Sequence, residues 1–113
     1  MHKDELESIQ HARDRLDKGF YVNNLYELAK VFGQMSSSTK WPATACFALR
    51  QIALIIAYDW DGRPLPTAEA QSVDAQLRPL FSEVLSLMAE DTDVEELYAT
   101  LDRLVLALLD LEF

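Results

Sequence analysis

The chain has 113 residues, half of them hydrophobic, and carries a formal net charge of −9. This length and apolar content predict a single domain over residues 1–113 and exclude a disordered chain. With only three glycines and four prolines, the chain has too few turn residues for an all-β fold. Its negative charge also disfavours binding to the phosphate backbone of a nucleic acid.

The charge is distributed unevenly along the chain. Residues 1–56 contain six acidic and seven basic residues, whereas residues 57–113 contain thirteen acidic and three basic ones. Such an acidic half is typical of a solvated surface, and it is also what a basic partner would recognise.

The sequence predicts a cytoplasmic protein that does not cross a membrane. Its N-terminus is charged from the first residues and does not resemble a secretory signal. The longest apolar stretch, residues 52–58, is far shorter than the ~20 residues that span a bilayer. The single cysteine, Cys46, allows no internal disulfide and is typical of a reducing compartment.

The first two predicted helices lie in the N-terminal half. The first spans residues 4–18 and ends at Gly19, where a positive φ costs glycine nothing. The second begins at Asn24, a preferred N-cap residue. Gly33 and the polar run 36–39 then indicate a loop.

The third predicted helix spans residues 42–58 and is apolar nearly all round. This pattern predicts the most buried helix of the bundle. Only a narrow strip of it is expected to contact water: Thr44, Ala48, Gln51 and Tyr58.

The last two helices follow a turn over residues 61–66. The fourth spans residues 67–88, and Pro79 is expected to kink or split it. The fifth begins at Thr92, which forms a capping box with Glu95. Together the segments predict an all-α, antiparallel bundle of about five helices. The core positions predicted for the fifth helix are Val94, Leu97, Leu101, Leu104, Leu108 and Leu111.

The fifth helix has a second apolar side, formed by Leu106, Leu109 and Phe113. A helix that is apolar on two sides is either wholly interior or lies between its own core and another chain. We therefore predict an interaction surface there, unless the first helix covers it. Trp60 is a further candidate, because an aromatic residue beside a turn is a common contact anchor. It could equally close the end of the bundle.

Arg50 lies among small residues of the third helix, between Cys46 and Ala53. A buried arginine needs a partner, because an isolated buried charge costs several kcal/mol. It could bind a small anionic ligand through its planar guanidinium. Alternatively, it could pair with Glu27 or Glu83, or extend to water.

Other chemistry has weaker support. The stretch 27–50 follows the order of a helix-turn-helix, but its second helix would present mostly apolar side chains to DNA, with Arg50 its only base. Glu7 and His11 share one helix face, which is too few ligands for a closed metal site. We expect no metal, no cofactor and no catalytic residue set.

These observations leave three interpretations of function. The first is a small acidic protein-interaction module (an adaptor, inhibitor or accessory chaperone) that pairs with itself as a homodimer or with another protein. The second is a helical bundle that binds or transforms a small anion around Arg50. The third, a helix-turn-helix regulator, agrees least with the charge.

Overall fold

The computed structural model describes residues 3–37, 40–90 and 93–111, and every element in these ranges is helical. The predicted all-α, five-helix bundle is therefore confirmed. The helices are α1 (Lys3–Asp17), α2 (Val22–Met35), α3 (Ala43–Trp60), α4 (Thr67–Ala89) and α5 (Val94–Asp110).

The five helices form a closed ring around one hydrophobic core. Helix α1 packs against α2 and α4, α3 packs against α2 and α5, and α4 packs against α5. The indole of Trp41, just before α3, donates to the carbonyl oxygen of Met88 near the end of α4. Helices α3 and α4 therefore run in opposite directions. Because α5 returns from the end of α4, it runs parallel to its neighbour α3.

Three phenylalanine rings from three different segments meet in this core. The ring of Phe81 in α4 lies 5.9 Å from the ring of Phe20, edge to face, and 5.9 Å from that of Phe32, stacked. Such pairs stabilise by roughly 0.5–1.5 kcal/mol beyond the burial of their area. They fix α4 against the connection between α1 and α2 and against α2 itself.

The sequence predicted that Asn24 caps α2, and this prediction is wrong. Helix α2 begins two residues earlier, at Val22, and Asn24 is buried within it. Its side-chain amide donates to the carbonyl oxygens of Arg15 and Gly19, at 2.7 and 2.6 Å. Asn24 therefore ties α2 to the end of α1 and to the turn that follows it. Gly19 has the predicted positive φ, 99°.

Pro79 does not split α4, which runs unbroken from Thr67 to Ala89. Proline removes the hydrogen bond to the carbonyl of the residue four positions earlier, here Ala75. Both Pro79 and Ala75 are exposed, so water can bond that carbonyl. The kink at Pro79 stays a prediction.

Helix α5 begins slightly later than predicted. Its N-cap is Asp93, whose carboxylate accepts a hydrogen bond from the backbone N–H of Glu95 at 3.2 Å. Thr92, the predicted cap, lies outside the described residues. None of the helices in the described ranges is long and apolar enough to cross a membrane.

Candidate functional site

The inward side of α5 is a row of buried leucines. Leu97, Leu101, Leu104 and Leu108 are all buried, as their three- and four-residue spacing predicted. Two of the other predicted core positions differ: Val94 is exposed and Leu111 is half-buried. Helix α5 therefore fills its share of the core with its central leucines.

The outward side of α5 carries two further leucines in contact with water. Leu106 and Leu109 are 62% and 66% exposed, and Val105 between them and the core is 37% exposed. Leu106 follows Leu104 by two residues, which turns its side chain about 200° away from the core. Helix α1 does not cover these leucines. We call Val105, Leu106 and Leu109 the α5 face.

Carboxylates border the α5 face. Asp102 lies four residues before Leu106 and Asp110 four residues after it, so the three share one side of the helix. Both aspartates are exposed and make no ion pair with any residue that the structure describes. The α5 face is thus an apolar patch between two exposed carboxylates.

The neighbouring helix α3 also has an exposed apolar side, of which the sequence predicted Tyr58 but not Phe47 or Ile55. Phe47, Ile55 and Tyr58 are 43–64% exposed, and we call them the α3 stripe. Thr44 and Gln51 are exposed as predicted, but Ala48 is half-buried. Helix α3 was predicted to be buried because it is apolar all round. A helix that is apolar all round can also lie between its own core and another chain, as considered for α5. That alternative predicts an exposed apolar side such as the α3 stripe.

Trp60 is not on an outer surface. Of the two roles predicted for it, its burial contradicts the contact anchor and leaves closure of the end of the bundle. It is 2% exposed and lies on the inward side of α3 with Ile56 and Ala53. A side chain this buried cannot contact a partner unless the bundle opens. Phe113, the third residue of the predicted surface, lies outside the described residues.

Arg50 lies in a groove between α2 and α3, without the predicted partners. Its guanidinium donates to the side-chain oxygen of Gln51 at 2.9 Å and lies 5.9 Å from the ring centre of Phe47. Glu83 pairs instead with Arg103, at 2.7 Å. Gly33, predicted to mark a loop, lies inside α2, directly against the Arg50 side chain.

Two further candidate groups are the single cysteine and the side chains that could bind a metal. Burial raises the pKa of the Cys46 thiol to about 11, so it stays protonated and weakly nucleophilic at neutral pH. Among the residues that the structure describes, no three His, Cys, Asp or Glu side chains lie together as a metal would require.

Fold and surface together define an all-α, five-helix bundle with an exposed apolar side on α3 and α5. No protein-family model matches the chain, and a search of curated proteins and of solved structures finds no significant match either. Any function must therefore be argued from the geometry of this chain.

Proposed function

We propose that the chain is a small protein-interaction module that binds through the α5 face. The observation that carries this proposal is the exposure of Leu106 and Leu109 on a helix whose other side already fills the core. An adaptor, an inhibitor and an accessory chaperone would all use such a surface. The first partner we propose is a second copy of the chain.

Burial of the α5 face would provide a substantial driving force for association. Covering an exposed leucine stabilises by roughly 1.5–3 kcal/mol. Contiguous exposed apolar patches on soluble proteins commonly mark interaction sites. The α3 stripe lies on the helix next to α5, so a partner docked on α5 can extend its contact onto α3.

A two-fold homodimer uses the same patch twice, and each buried leucine then counts twice. The same symmetry brings Asp102 and Asp110 of both copies towards one interface. Because salt screens repulsion between exposed charges, self-association through this face should strengthen as ionic strength rises. A basic partner on the same face would show the opposite dependence.

Sedimentation equilibrium on wild type, Leu109→Glu and Ser82→Glu tests the proposal. Ser82 is an exposed residue of α4, so its substitution adds the same charge to a different surface. We expect wild type and Ser82→Glu to dimerise and Leu109→Glu to stay monomeric. A wild type that is monomeric across the concentration series rules out the homodimer. Equal association of the two variants removes the α5 face as the interface.

A further inference from the structure

A second surface feature is the groove of about 390 Å³ between α2 and α3. Its volume falls in the range of small-molecule sites. Small residues of α2 form its floor, and two cations stand at its edge. It is lined by Tyr26, Ala29, Lys30, Gly33, Gln34, Arg50 and Leu54.

Arg50 packs directly against α2 at Gly33. A Cβ atom built on Gly33 would lie 3.4 Å from Cδ and 3.6 Å from Nε of Arg50, which is close van der Waals contact. The guanidinium is therefore held by its contact with α2 and by its hydrogen bond to Gln51.

The guanidinium of Arg50 retains hydrogen-bonding capacity. It has five N–H donors, and its one hydrogen bond within the described residues is to Gln51. Three other arginines, Arg63, Arg78 and Arg103, each pair with a carboxylate, whereas Arg13 donates to the hydroxyl of Ser86. Within the described residues Arg50 contacts no carboxylate, and it is the arginine that lines this groove.

Lys30 adds a second positive charge to the same groove, and it too makes no ion pair within the described residues. The walls are less polar. The hydroxyl of Tyr26 already donates to Asp61 at 2.9 Å, so this residue presents mainly its ring. Leu54 and Ala29 add aliphatic surface.

We propose that this groove binds a small monoanionic carboxylate with an apolar body. The planar fork of an arginine matches the two oxygens of a carboxylate, and Lys30 adds electrostatic attraction. Tyr26, Leu54 and Ala29 contact the apolar part. A dianion such as phosphate is the poorer fit, because the net charge of −9 repels it more strongly and it has no apolar part for the walls.

NMR titration of the full chain with three probes tests this proposal. The probes are phenylacetate, its neutral analogue phenylacetamide, and inorganic phosphate. We expect phenylacetate, in the low millimolar range, to shift the backbone amide signals of Ala29, Gly33 and Leu54, with little effect from the other two. The absence of shifts in the groove would overturn the proposal, and equal shifts from phosphate would overturn its assignment to carboxylates.

Substitutions in the groove separate the contribution of positive charge to binding from that of the planar guanidinium. Loss of a charge-assisted hydrogen bond should weaken phenylacetate binding by roughly 10–100-fold in Arg50→Met. Arg50→Lys keeps the charge and loses the fork, so it should recover only part of the affinity. Lys30→Met should weaken binding by about 2–5-fold. Arg103→Met, the same change on a distant surface, is the control and should bind as wild type. Wild-type affinity in Arg50→Met contradicts the proposed site.

Discussion

Helices α4 and α5 pack against each other, yet their outward faces differ in both hydrophobicity and charge pairing. Helix α4 exposes no large hydrophobic side chain, whereas α5 exposes Val94, Val105, Leu106 and Leu109. Within the described residues, nine large hydrophobic side chains are exposed, and seven of them lie on α5 or on its neighbour α3. The apolar exposure is therefore concentrated on one pair of helices.

The acidic residues of α4 and α5 differ in whether they form ion pairs. On α4, Glu69, Asp74 and Glu83 each contact an arginine. On α5, the exposed carboxylates of Asp102 and Asp110 have no such partner among the described residues. Helix α4 thus presents a polar, ion-paired surface to water, whereas α5 presents exposed apolar side chains. This contrast supports our proposal that a partner covers the α5 face.

The largest expected effect separates the two sides of α5. Leu104→Ala removes a fully buried side chain and should lower the free energy of unfolding by about 2–5 kcal/mol. Leu106→Ala, on the exposed side, should change it by less than about 0.5 kcal/mol in the monomer. Urea unfolding at low protein concentration measures both. Comparable losses would show that Leu106 belongs to the core.

A smaller effect concerns the paired carboxylate of α4. The hydrogen bond from the Arg78 guanidinium, 2.7 Å from Nε to Oδ1, holds the pKa of Asp74 below its usual value. Because the folded-state pKa is lowered, this pair stabilises the fold above about pH 4. The contribution is lost as the pH falls through the folded-state pKa. Asp74→Asn should therefore cost about 0.5–1 kcal/mol at pH 7 and nothing at an acidic pH below the folded-state pKa.

Asp102→Asn on α5 is the matched control for that experiment. Its carboxylate has no described ion pair, so its removal should leave stability unchanged or raise it slightly by reducing repulsion in an acidic chain. Urea unfolding at both pH values compares the two variants. If Asp102→Asn destabilises as much as Asp74→Asn, the contrast in charge pairing between the two helices is wrong.

The smallest expected effect concerns the link between the two helices. Arg103 of α5 reaches Glu83 of α4, but both side chains are about half exposed. Exposed pairs of this kind contribute only a few tenths of a kcal/mol. Arg103→Met should therefore lower the free energy of unfolding by less than about 0.5 kcal/mol, as urea unfolding can measure. A loss above about 1 kcal/mol would mean that this pair, and not the buried leucines, holds α5 in place.

Sequence periodicity predicted the buried side of α5 and the exposure of Leu106 and Leu109, because both follow from the geometry of one helix. It failed where the outcome depends on another element. Asn24 bonds the end of α1, and no local pattern around it reveals those carbonyls. The space beside Gly33 is filled by Arg50 from α3. Pro79 is tolerated because it faces solvent. Trp60 is buried because α3 continues to this residue instead of ending at 58, so the periodicity of α3 places it on the inward side.

Methyl NMR across a protein concentration series tests most directly whether the α5 face is an interaction surface and the α4 face is not. We expect the methyl signals of Leu106 and Leu109 to shift or broaden as concentration rises. Those of buried Leu104 and of half-buried Leu80 on α4 should move far less. Signals that are constant on α5, or that change mainly on α4, would contradict a homodimer formed through the α5 face.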